Sequence, residues 1–179
     1  MYLNQNEILK LGLRSFGKNV QISSKSSFYL PGKISIGDNV RIDDFVVLSG
    51  NIQIGSHVHL SVHSTIISPR SEVIIRDFAT ISFYSCITSA NDDYSGNFFL
   101  NPTVPSKYTN VNDSPVVLEN YVAIGSHSLI LPGVTVGEGS VVGAHSLVKS
   151  SIPQWQIVGG VPAKRIGNRS KEMLNLKVD

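Results

Sequence analysis

The chain has a single cysteine, Cys86, so it can close no internal disulfide. A fold without cross-links suits a reducing compartment, and a cytoplasmic location is expected. No apolar run is long enough to span a bilayer. The opening Met1-Tyr2-Leu3-Asn4-Gln5-Asn6 lacks the basic start and apolar stretch of a signal peptide. Charge is sparse, and a formal net charge of +2 is too small to mark a nucleic-acid binder. Over most of the chain the apolar residues neither return at the 3.6-residue spacing of a helix nor alternate between regular turn signals like a hairpin sheet.

What is present instead is a period of six. Aliphatic residues recur at Ile36, Ile42, Leu48, Ile54, Leu60 and Ile66, and again at Leu118, Ile124, Ile130, Val136, Val142 and Val148. Two positions before each stands another aliphatic or small residue, from Ile34 and Val40 to Ser140 and Ser146. So short a repeat reads as an all-β parallel β-helix in which each hexad is one strand and its corner. The spacing widens between Ile66 and Ile75, which predicts a bulge of three residues at Ser68-Pro69-Arg70. Phe16-Gly17-Lys18-Asn19-Val20-Gln21-Ile22 parallels Ile36-Gly37-Asp38-Asn39-Val40-Arg41-Ile42, so the coil starts near Phe16.

One domain is expected over residues 1–179, with the coil at about 14–167 and a loop at 89–112, where the hexad is lost. A short amphipathic helix over 3–13 would cap the first coil, and a terminal helix over 168–177 would lie in a C-terminal cap at 168–179. Repeat arrays need such caps because an open end exposes apolar side chains and unpaired strand edges. The loop carries Asn91, Asp92, Asp93, Tyr94 and Asn97. These side chains suit hydrogen bonding to a polar ligand such as a saccharide; the alternative is that they merely form turns.

With three hexads per coil, residues eighteen apart stack. Gly125 lies under Gly143 and Ser126 under Ala144, giving a track of small residues along one corner. A long thin ligand can lie on such a track. Basic residues gather beyond it at Lys149, Lys164, Arg165, Arg169 and Lys171, where phosphates would need cations. The lone Trp155 is read as a plug for the last coil, with stacking on an adenine as the alternative.

The hexads, the interrupting loop and the ending Val158-Gly159-Gly160-Val161-Pro162-Ala163-Lys164-Arg165 resemble the hexapeptide-repeat acyltransferases, over nearly all of residues 14–167. Within them the chain is most similar to maltose- and galactoside-acetyltransferase-like proteins and to sugar acetyltransferases of surface-polysaccharide clusters. The resemblance implies a left-handed coil, a homotrimer with sites between subunits, acetyl-CoA as acyl donor and no metal. It implies acyl-CoA contacts at Ser126, Ala144, Lys149, Ser150 and Lys164; the position of Arg165 adds it to the phosphate end.

Transfer to a sugar hydroxyl needs a base, and a histidine near neutrality suits that role. Maltose- and galactoside-type relatives carry theirs in the loop, whereas this loop has none. The surface-polysaccharide subgroup is similar at Asp92-Asp93-Tyr94-Ser95-Gly96 and at Val58-His59-Leu60, so His59 is expected to be the base. Asp93 or Asp92 would orient it or hold the acceptor beside Asn91 and Tyr94, across a subunit boundary. The alternative for His59, as for His57, His63, His127 and His145, is an ordinary surface residue.

The expected activity is acetyl-CoA-dependent O-acetylation of a saccharide or nucleotide-linked sugar. N-acetylation of a nucleotide-linked amino sugar is the alternative. A neutral amine needs less help from a base, which suits the missing loop histidine. Against it, relatives acting on 4-amino sugars often carry an extra N-terminal nucleotide-binding domain, and none fits before Phe16. A γ-type carbonic anhydrase would want a third well-placed ligand beside His59 and His63. A non-catalytic coil would not need the Lys164-Arg165 ending.

Overall fold

The structure is a computed structural model and describes residues 1–176. The chain winds as a parallel β-helix with three faces, built from a ten-stranded and an eight-stranded sheet. The larger sheet covers two faces because the strands Val47–Ile54 and Thr65–Ile75 bend around a corner without breaking. Hexad positions become vertical columns. Ile22, Ile42, Leu60, Ile81, Ile124, Val142 and Val158 stand in register on one face. All of them are buried, and each contributes about 1.5–3 kcal/mol of apolar burial.

The corners differ in how they turn. At the first, Asn19, Asn39, His57, Phe78, Tyr121 and Trp155 adopt left-handed backbone angles. Short side chains there staple successive coils. Asp38 accepts from the Lys18 N–H, Ser56 from Asp38, Asp77 from Ser56 and Asn120 from Asp77, at 2.6–3.1 Å. Trp155 is buried against Gly139, where any Cβ would enter its indole ring, so it seals the last coil as expected. At the second corner the left-handed residues are Phe45, His63, Tyr84, His127 and His145.

The third corner absorbs the irregularities. It holds the 3-10 turn Pro31–Lys33, the bulge and the loop. Coil spacing is 18 residues between Asp38 and Ser56 and 21 between Ser56 and Asp77, so the predicted three-residue insertion is present. Across the loop the spacing grows to 43, from Asp77 to Asn120. The loop leaves and returns at adjacent points, because the Ser114 N–H donates to the Ser89 carbonyl at 2.8 Å. Its base is a two-stranded antiparallel ribbon, Ala90–Asp92 with Val111–Asp113, rather than irregular chain.

At the N-terminus the helix Gln5–Lys10 starts with a capping box between Asn4 and Glu7. It buries Ile8 against the first coil, and Leu3, Leu11 and Leu13 pack beside it. The C-terminal helix expected over 168–177 is reduced to one 3-10 turn, Glu172–Asn175. Asn168 belongs instead to the strand Lys164–Asn168, which runs antiparallel to Gln156–Gly159. Pairing that last coil edge satisfies backbone groups that a helix would have left open. Lys177 and the two residues after it lie outside the described residues.

Candidate functional site

The second corner carries a continuous ladder of rings. Phe45, His63, Tyr84, His127 and His145 stack in that order with centroids 4.6–5.0 Å apart. His63, His127 and His145 therefore share one environment. The residue preceding each ring forms a second column, tied coil to coil by backbone hydrogen bonds: Asp44, Val62, Phe83, Ser126 and Ala144. The predicted small-residue track is the upper end of this column. Gly125 permits it, since a Cβ there would lie 2.5 Å from the Ala144 nitrogen.

Backbone donors line the column. Among the described residues the N–H groups of Val62, Phe83, Ser126 and Ala144 meet no acceptor in the chain, in contrast to the stapled N–H groups of Lys18, Asp38, Ser56 and Asp77 at the first corner. From inside, buried serines brace the same turn. Ser85 donates to the Gly125 carbonyl at 2.9 Å, Ser128 to Gly143 at 2.9 Å and Ser146 to Gly143 at 2.6 Å. The corner is held rigid from within while its outer donors stay open to a ligand.

At the upper end of the coil, Lys149, Ser150, Lys164 and Arg165 line one cavity of about 280 Å³ with Gln156 and Pro162. The other two expected cations do not join them. Arg169 donates to the Tyr121 and Gly139 carbonyls at 2.7 and 3.2 Å, and Lys171 lies over the Trp155 ring at 5.3 Å. Both fasten the terminus to the first corner.

In the loop, Asn91, Asp92, Asp93, Tyr94 and Asn110 line an open cleft of about 630 Å³. Asp93 accepts from the Ser95 N–H at 2.8 Å and from Asn110 Nδ2 at 2.7 Å. The backbone and side-chain hydrogen bonds from Ser95, together with that from Asn110, hold its carboxyl below the usual range. Asp93 thus shapes the turn. The Asp92 carboxylate has no hydrogen-bond partner among the described residues.

His59 lies on the middle of the second face, one coil above Arg41. Its Nε2 is 2.8 Å from Asp43 Oδ2. Arg41 Nε and the Tyr2 hydroxyl donate to the other oxygen at 2.7 and 3.2 Å. Burial pushes the Asp43 carboxyl up, but the hydrogen bonds and charges of His59 and Arg41 outweigh it and the carboxyl lies below its usual range. Within one chain His59 and the loop acids occupy different sides of the coil, and the acid beside His59 is Asp43.

The comparisons with known proteins agree with this geometry. The model of bacterial transferase hexapeptides (six repeats) matches residues 33–68 and 115–150. The dTDP-4-amino-4,6-dideoxy-D-glucose acyltransferase of Escherichia coli is 45% identical over 98% of this chain and 93% of its own length. The chain belongs to the hexapeptide-repeat acyltransferases. The coil of this acyltransferase is accordingly the left-handed β-helix of that family. AntD, an N-acyltransferase from Bacillus cereus, superposes with a TM-score of 0.95 at 44% identity, over 97% of this chain and 93% of that one. It was solved with dTDP-4-amino-4,6-dideoxyglucose and coenzyme A, and also with dTDP and 3-hydroxybutyryl-CoA. The amino-sugar complex is of a variant at a serine, and other AntD structures are of variants at an aspartate ten residues beyond it. A putative lipopolysaccharide O-acetyl transferase of Escherichia coli K12 is 31% identical over 79% of this chain and 74% of its own length. The amino-sugar acyltransferase and the N-acyltransferase AntD are thus more similar to this chain than the O-acetyl transferase is. This chain covers 93% of each of them, so neither has room for a large extra domain of the kind that weighed against an amine acceptor.

Proposed function

We propose that the protein transfers an acyl group from acyl-CoA to the amine of a dTDP-linked 4-amino-4,6-dideoxy sugar. The observation that carries this reading is the near full-length match to a dTDP-amino-sugar acyltransferase, joined to an open column of N–H donors and a cationic cavity at the upper end of the coil. Coenzyme A would lie along Ala144 and Ser126, with its phosphates toward Lys149, Ser150, Lys164 and Arg165. The amine nitrogen attacks the thioester carbonyl, the C–N bond forms and the C–S bond breaks. The unpartnered N–H groups of Phe83 and Ser126 are positioned to stabilise the oxyanion. The amine's proton leaves to a carboxylate and then to the departing thiolate, giving an amide and free coenzyme A.

Asp92 is the base we assign. Its carboxylate is uncommitted, whereas that of Asp93 is spent on the turn. Ser82 and Asp92 also reproduce the ten-residue spacing of the serine and aspartate varied in AntD. Asn91 and Tyr94 would hold the acceptor beside it. Because the loop springs from the third corner and the track runs along the second, the two halves meet between copies of the chain. A homotrimer supplies that meeting, and the exposed loop-tip side chains Phe98, Phe99 and Leu100 suit burial against a neighbour.

A second reading keeps His59 as base, favoured by its oriented contact with Asp43. Thiol release from acetyl-CoA with dTDP-4-amino-4,6-dideoxyglucose decides between them. Asp92→Asn is expected to lower kcat by about 10²-fold or more while His59→Ala stays within about tenfold. The reverse pattern selects His59. Release with a plain sugar and none with the amino sugar rejects the amine acceptor.

A further inference from the structure

We propose that Phe83 closes the lower end of the coenzyme track and sets the length of acyl chain the enzyme accepts. This rests on the reading above, in which coenzyme A descends along Ala144 and Ser126. The column positions are fixed by backbone pairing: His145 N–H to the Ser126 carbonyl at 2.9 Å, His127 N–H to Phe83 at 3.1 Å, and Tyr84 N–H to Val62 at 3.2 Å. A small residue therefore occupies the slot in two successive coils, and a phenyl ring occupies the third. That ring is 45% exposed, so it stands out from the corner rather than filling the core. Edge-on contacts with Tyr84 at 6.2 Å and His127 at 5.9 Å fix its orientation.

Distances along the coil put the thioester beside it. The cationic cavity is lined from the coil of Ala144 and the one above it, two to three coil rises above Phe83, which is roughly 10–14 Å at about 4.8 Å per rise. An extended pantetheine arm spans that interval. An acyl group continuing along the same line meets the ring. Acetyl ends before it, while a longer chain must displace it. Below Phe83 the slot is filled by Val62, a smaller side chain, so removing the ring opens about one further rise, room for about four methylene groups.

The test compares acetyl-CoA with hexanoyl-CoA in wild type and Phe83→Ala, using dTDP-4-amino-4,6-dideoxyglucose as acceptor and thiol release as readout. Both rates come from the same preparation, so their ratio is insensitive to a partial loss of folded protein. Wild type is expected to favour acetyl by about tenfold or more in kcat/KM, the scale at which pockets reject extra methylenes. Phe83→Ala is expected to erase most of that preference, and Phe83→Leu, which keeps the site filled, to fall between. Double substitution Phe83→Ala with Val62→Phe should restore a limit at a longer chain. An unchanged acetyl-to-hexanoyl ratio in both single variants overturns the proposal, as does a wild type that already uses both donors equally. Calorimetry of coenzyme A with wild type separates the two levels: no binding removes the donor reading itself, whereas binding with an unchanged ratio removes only the role of Phe83.

Discussion

The first and second corners are built from the same hexad slots and end in opposite surfaces. Both place left-handed residues in stacked ladders, from Asn39 to Tyr121 on one side and from Phe45 to His145 on the other. At the first, the residue before the ladder is Asp38, Ser56, Asp77 or Asn120, and its side chain consumes the backbone donor of the coil below. At the second, the same slot holds Val62, Phe83, Ser126 or Ala144, and no side chain competes for those donors. Serines within the lumen take over the bracing. The stability of a turn and its availability to a ligand are thus set by one position in the repeat. Where that side chain accepts from the coil below, as Asp38, Ser56, Asp77 and Asn120 do, the corner is closed; where it does not, the donors stay open.

Filling the open corner should have the largest effect. Ser126→Trp is expected to weaken coenzyme A binding by about 10²-fold in calorimetry, the scale of a lost anchoring contact, with little change in melting temperature because the slot faces outward. Unchanged affinity would place the coenzyme elsewhere. Next, opening the closed corner should cost stability and nothing else. Asp77→Ala removes the acceptor of the Ser56 N–H and is expected to destabilise the protein by about 0.5–1.5 kcal/mol, while affinity for coenzyme A is unchanged. A loss of affinity there would break the division between the corners. The smallest effect concerns Asp43, on the face between them. Its carboxyl lies below the usual value of 3.8, so its contribution is present above that pH and is lost as pH falls through the lower folded value. Asp43→Asn should lower the melting temperature by a few degrees at pH 7, and the gap to wild type should close as the pH falls below 3.8 and through the lower folded value.

Much of this was legible in the chain. Columns of Ile, Leu and Val announce themselves because the repeat forces each to meet its equivalent one coil away. The loop was visible as a lost hexad, but its ribbon base was not, since Ala90-Asn91-Asp92 and Val111-Asn112-Asp113 carry no alternating pattern and pair only because both ends emerge at one point. Asp43 was missed as the partner of His59, although the register held the signal: Arg41 stacks under His59, and Asp43 is two residues along the same outward side. The basic cluster misled in part. Arg169 and Lys171 are near Lys164 in sequence, yet the returning strand Lys164–Asn168 carries them to the opposite corner.

The resumption of register after the loop has a consequence of its own. Tyr84 and His127 sit face to face at 5.0 Å as though the residues between them were absent, and the excursion is pinched shut where Ser89 meets Ser114. The coil is therefore a chassis and the loop a cartridge. Everything proposed to hold the donor belongs to the chassis, and the proposed acceptor residues belong to the cartridge. A new acceptor can be adopted by exchanging one closed excursion, with the machinery that delivers the acyl group left as it is.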